Sequence, residues 1–130
     1  MVKKIFMSVI LVASIVANFN IANAGDIKAG EKIFNKCKAC HGVKEGGKNK
    51  LGPNLWNIVG APIAAKDGYK YSKALKAYAE EAGNWNEENL TVWLKKPKGL
   101  VKKTKMIFPG LKKADDITNI LAFLKANGNN

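Results

Sequence analysis

Apolar residues recur at helical spacing in four stretches of this chain, and nowhere do they alternate long enough to predict a strand. Behind Asp26, a suitable N-cap, Ile27, Gly30, Ile33, Phe34 and Cys37 fall three and four apart and predict a helix. Gly30 lies on its apolar face, where glycine costs about 1 kcal/mol of helix propensity relative to alanine. Such a glycine predicts that another backbone passes close by. The candidate is a final helix from about Ala114 to Ala126, with Ile117, Ile120, Leu121 and Leu124 on one face and Asn127-Gly128 as its end. Between these two, Ser72 caps a predicted helix that runs to Ala82 and stops at Gly83. Asn84 or Asn86 caps another, in which Glu87 and Glu88 suit the positive end of the macrodipole. It presents Leu90, Trp93 and Leu94 on one side and must finish before Pro97. Gly42 to Asn54, rich in glycine and lysine, reads as a loop, and so does the aperiodic stretch from Lys98 to Leu111. The fold class is all-α.

The first residues carry a different pattern. Lys3 and Lys4 precede an apolar stretch, Ile5 to Ala17, and Ala22-Asn23-Ala24 matches a small-x-small cleavage site. Residues 1–24 are therefore expected to be a secretory signal peptide, with the mature chain beginning at Gly25. The stretch falls short of the roughly 20 residues a membrane-spanning helix needs, although a leader that is kept could act as an anchor. What remains, residues 25–130, is enough for one small domain. Export implies an oxidising compartment, here the periplasm, where two free cysteines would normally be paired or capped.

Beyond the leader there are one histidine, two cysteines and one methionine. Cys37-Lys38-Ala39-Cys40-His41 is a C-x-x-C-H pentapeptide, the attachment signature of a c-type haem. Thiol–disulfide chemistry is a rival for C-x-x-C, but no βαβ pattern surrounds it. A structural zinc site usually wants four ligands, and the Cys and His residues to complete one are missing. Met106 is the remaining soft thioether. A lone methionine is most often core filling, yet this one sits in a loop with no rival ligand. Histidine and methionine together occupy both axial positions of a haem iron and raise its reduction potential, which suits electron transfer. A haem peroxidase, the enzymatic alternative, would need an open iron position and a distal acid–base group, and the sole histidine is already committed.

These motifs, in order and at this spacing, resemble the class I cytochromes c of the mitochondrial and closely related bacterial type. The resemblance covers the whole mature chain: Gly25-Asp26, Gly30 and Phe34, then Cys37 to His41, Leu51-Gly52-Pro53-Asn54-Leu55, Trp85, and Thr104-Lys105-Met106-Ile107-Phe108 with Gly110. It implies N- and C-terminal helices that cross, with short helices and loops wrapped around one haem held through Cys37 and Cys40. His41 and Met106 would be the axial ligands. The Pro53 carbonyl would accept a hydrogen bond from the far nitrogen of His41. Tyr71 and Trp85 match positions that bond a buried propionate, Thr104 one near the other propionate or the methionine loop, and Phe108 would shield the macrocycle. Gly30 and Phe34 would cross the last helix at Ile120 and Phe123. Three positions depart from the pattern: Ala61 stands where many relatives have an arginine, Trp93 where a tyrosine is common, and Asn49 where a structural histidine is common.

The formal charge is +12, or +10 once Lys3 and Lys4 are removed, and all 22 basic residues are lysines. Nucleic-acid recognition usually exploits arginine's planar fork, so a sequence-reading nucleic-acid binder is not expected. Lys32, Lys36, Lys48, Lys50, Lys98, Lys105, Lys112 and Lys113 resemble the lysine ring of the family, which implies transient docking on acidic protein faces. The ligand set implies a one-electron carrier, and the resemblance implies a monomer that moves electrons from a bc-type quinol-oxidising complex to a terminal cytochrome oxidase. Membrane contact would be peripheral only, unless the leader is retained.

Overall fold

Five helices, none longer than 13 residues, account for the regular structure of the computed structural model, which describes residues 24–128. The leader lies outside them, Ala24 excepted. α1 spans Ile27–Phe34, with the Asp26 side chain accepting from the Ala29 N–H at 3.0 Å. α2 spans Lys73–Ala82 between Ser72 and Gly83, as its pattern predicts. α3 spans Glu87–Lys95. Asn86, not Asn84, caps it: the Asn86 Oδ1 accepts from the Asn89 N–H at 2.9 Å. Asn84 is engaged elsewhere, in an isolated bridge to Pro62 and as acceptor, through its carbonyl, of the Asn89 side chain. That bridge is the only sheet-like pairing among the described residues.

One element departs from the sequence reading. Pro97–Leu100 forms a short helix, α4, inside the segment expected to be loop from Lys98 onward. Pro97 both ends α3 and begins α4, because its fixed φ and missing N–H suit the first position of a helix. The Val101 N–H closes the turn on the Pro97 carbonyl at 2.9 Å.

α5 spans Ala114–Ala126, and its crossing with α1 frames the fold. The expected close approach at Gly30 is present, but its partner is shifted. A methyl group on Gly30 would collide with the Asn119 carbonyl and lie 2.7 Å from the Phe123 Cβ. Asn119, rather than Ile120, therefore meets the glycine. Ile120 instead turns inward, 1% exposed, beneath the cavity described below. Phe34 meets Phe123 as expected, with ring centroids 5.2 Å apart. α3 also packs on α5. Loop pairing holds the remainder: the Trp85 N–H donates to the Ala61 carbonyl at 2.8 Å and the Leu111 N–H to the Leu94 carbonyl at 2.8 Å.

Candidate functional site

A cavity of about 600 Å³ lies among these elements, within the ~300–1,000 Å³ common for ligand sites. Cys37, Cys40 and His41 line it from the turn that follows α1. There the His41 N–H donates to the Cys37 carbonyl at 2.9 Å, one continuing helical step that brings the thiols and the ring together. Met106, with Thr104 and Phe108, lines it from the loop after α4; Tyr71, Trp85 and Trp93 close other walls. All nine residues expected to contact the cofactor thus reach one cavity, although they come from five separate stretches of chain. Of the eight lysines expected to dock partners, all are exposed, but only Lys36 and Lys105 line the cavity.

The histidine is held firmly. Its Nδ1 lies 2.7 Å from the Pro53 carbonyl oxygen. A carbonyl only accepts, so Nδ1 carries the proton and Nε2 keeps a free lone pair. Burial pushes the imidazole below its ordinary value, with the Pro53 bond opposing and the Lys50 charge adding to the shift. The ring is accordingly neutral at neutral pH, the form that can bind a metal. Gly52 packs flat on it: a methyl group there would lie 2.7 Å from Nδ1 and 2.9 Å from Nε2. Asn54, 2% exposed, fixes the same loop. Its Oδ1 accepts from the Trp56 N–H at 2.8 Å, its amide donates to the Lys44 carbonyl at 3.2 Å, and its N–H donates to Asn49 Oδ1 at 2.9 Å.

Both thiols are free of any disulfide. Burial raises the Cys37 pKa, against the Lys36 charge and together with Cys40. Met106 is half-buried, and its N–H donates to the Thr104 hydroxyl at 3.2 Å. Tyr71 Oη accepts from the Lys66 N–H at 3.1 Å, which leaves its own proton for another acceptor; burial holds that phenol above its ordinary value. Trp85 is 5% exposed and meets Trp93 with centroids 5.3 Å apart. An apolar cavity, two unpaired thiols at its wall, a neutral imidazole with one committed nitrogen and a thioether form a donor set that fits a thioether-linked haem.

The comparisons agree. The cytochrome c family model matches residues 27–127. The chain belongs to the cytochrome c family. It is 43% identical to cytochrome c2 of Afifella marina over 76% of this chain and 80% of that one. It is 44% identical to cytochrome c of Nigella damascena, over 84% and 96%. Among solved structures, cytochrome cH from Methylobacterium extorquens superposes with a TM-score of 0.71 at 43% identity, covering 78% of this chain and 99% of that one. As a class I cytochrome c it carries haem c, attached covalently through Cys37 and Cys40, and it is an electron-transfer protein rather than an enzyme.

Sequence reasoning missed several residues that shape this site. Lys66 and Tyr69 also line the cavity, Gly52 packs on the histidine ring, and Asn54 ties the loop next to Pro53. Tyr69 donates to the Leu51 carbonyl at 2.8 Å, a contact across 18 residues that no local pattern announces. Asn54 stands inside a Gly-Pro-Asn turn, and that setting was the one available hint. Of the departures from the family pattern, Ala61 and Trp93 line the cavity. Asn49 bridges two loops, donating to the Asp67 carbonyl at 2.9 Å and accepting from the Asn54 N–H.

Proposed function

We propose that His41 and Met106 are the axial ligands of the haem and that this protein is a mobile one-electron carrier between membrane-bound redox complexes. The observation that carries the reading is the His41–Pro53 bond, which commits Nδ1 and leaves Nε2 to a cavity that Met106 also lines. The bound haem supplies an iron that alternates between two oxidation states one electron apart. Everything else falls to the chain. His41 offers a fixed, neutral nitrogen, so little rearrangement accompanies a change of charge. Met106 offers a soft sulfur, which favours the reduced state and raises the potential. Trp85, Trp93, Phe108 and Ile120 keep water from the cavity. Pro53 holds the imidazole, while Tyr71, Trp85 and Thr104 hold the acidic edge of the cofactor.

The family resemblance supports a bc-type quinol-oxidising complex as donor and a terminal cytochrome oxidase as acceptor, met transiently by a monomer. The N-terminal pattern supports export to the periplasm with cleavage after Ala24. All eight ring lysines are exposed, and a lysine-rich surface suits acidic partner faces. Among the described residues, no helix is long and apolar enough to cross a membrane.

The test joins mass spectrometry of the exported protein with visible spectroscopy. One haem added to a chain starting at Gly25 is the expected mass. The oxidised protein should show a weak long-wavelength sulfur-to-iron band that disappears in Met106→Ala. A high-spin native protein that turns over peroxide rapidly would overturn the reading.

A further inference from the structure

The loops that carry His41 and Met106 are both tied to a third stretch of chain, Lys66–Tyr71. On the methionine side, Lys105, the immediate neighbour of Met106, donates from Nζ to the Lys70 carbonyl at 2.6 Å. Its ammonium also stands 5.3 Å from the centroid of the Tyr69 ring, within the range of a cation–π contact. On the histidine side, the Tyr69 hydroxyl donates to the Leu51 carbonyl at 2.8 Å, one residue from the Gly52 that presses on the imidazole. Asn49 adds a second tie there, to the Asp67 carbonyl at 2.9 Å. Tyr69 is also braced edge-on against Tyr71, with centroids 4.8 Å apart. One aromatic ring therefore receives the methionine loop on its face and grips the histidine loop through its hydroxyl.

We propose that Tyr69 and Lys105 are positioning residues: together they strap the Met106 loop to the histidine loop across the cavity and thereby set how readily the Met106 side opens. This rests on the assignment of Met106 as a ligand and deepens it. Neither residue touches the ligating atoms. Each acts by removing freedom from the loop around Met106. Within the Lys98–Leu111 segment, Val101 and Leu111 are buried at 5% and 3% exposure and anchor its ends, whereas Ile107 beside Met106 is 93% exposed, so burial holds the stretch around Met106 less firmly than its ends. Polar ties must supply the difference. The Lys105 and Tyr69 contacts lie in series, so loosening either should ease release of the loop, with the Asn49–Asp67 bond left as a parallel tie.

The experiment follows imidazole entering the oxidised, haem-bearing protein by stopped flow, where entry requires the Met106 side to open. Tyr69→Phe removes the Leu51 bond and keeps the ring. Lys105→Gln removes the ammonium and most of its reach to the Lys70 carbonyl. Loss of a hydrogen bond of ordinary net strength predicts roughly fivefold to tenfold faster entry in each variant. The double variant should be little faster than the faster single one, since a strap cut at one end is already slack. Lys125→Gln, which removes the distant α3–α5 ion pair with Glu87, serves as the control and should alter entry by less than about twofold. Single variants within about twofold of the native rate, or rates that multiply in the double variant, overturn the strap. If the native protein lacks the sulfur-to-iron band and Met106→Ala leaves imidazole entry unchanged, the Met106 assignment fails and the strap fails with it. If the band is present and only the strap variants are silent, the assignment stands and the strap alone is lost.

Discussion

At the scale of single residues, the site is built by close contact more than by attraction. Gly52 lies so near the His41 ring that any side chain must turn the imidazole and break the 2.7 Å bond to Pro53. Gly52→Ala is therefore expected to cost about 1–3 kcal/mol and to speed exchange of the His41 Nδ1–H with solvent. Urea denaturation and proton NMR of the ring N–H read the two effects separately; a variant with native stability and native exchange would refute this account of Gly52. Asn54 acts on the same loop through three hydrogen bonds made from a position 2% exposed. Asn54→Ala leaves the Trp56 N–H and the Lys44 carbonyl without that partner, and about 1–3 kcal/mol of destabilisation is the expected result. Ala61 and Lys66 both line the cavity, Lys66 bringing a cation to its wall.

At the scale of elements, the helices are set by caps and by one crossing. Asp26, Ser72 and Asn86 each accept a backbone N–H three residues on. Their replacement by alanine should cost about 1 kcal/mol apiece. The crossing is less forgiving. Gly30→Ala forces a methyl group into the Asn119 carbonyl, and the clash is with backbone, which no rotamer relieves. The helix propensity gained, about 1 kcal/mol, is smaller than the overpacking it creates, so net destabilisation is expected from thermal unfolding. The Phe34–Phe123 pair, worth about 0.5–1.5 kcal/mol beyond burial, would be pushed apart in the same variant. The Glu87–Lys125 pair between α3 and α5 is the only ion pair among the described residues. Both side chains are about half exposed, so Lys125→Gln should shift stability by no more than about 1 kcal/mol.

At the scale of the whole molecule, charge and shape act together. The chain is strongly basic, and Leu51 and Ile107, 80% and 93% exposed, stand among the residues that line the cavity. On the proposed reading, long-range attraction would bring an acidic partner near, and a small apolar contact would permit quick release. Electron transfer to such a partner is expected to slow severalfold as ionic strength rises from about 0.01 M to about 0.1 M, over which the Debye length falls from ~30 Å to ~10 Å. Stopped-flow oxidation across that range measures it, and a flat profile would remove charge steering from the account.

By itself the sequence determined whatever depends on neighbours a few positions apart. The pentapeptide Cys37 to His41, the caps at Asp26 and Ser72 and the span of α5 were all legible, because helical periodicity and side-chain capping are local. Even Gly30 announced a crossing, since a glycine on an apolar face needs a reason. Local rules read Pro97 only as a terminator, though the same ring geometry also begins α4. They could not say that Asn119 would receive Gly30, that the Asn54 side chain would be buried with bonds to Lys44 and Trp56, or that Tyr69 would reach Leu51. Those outcomes belong to the tertiary structure, because contacts between residues far apart in the chain depend on how the loops close around one cavity, and no periodicity records that closure.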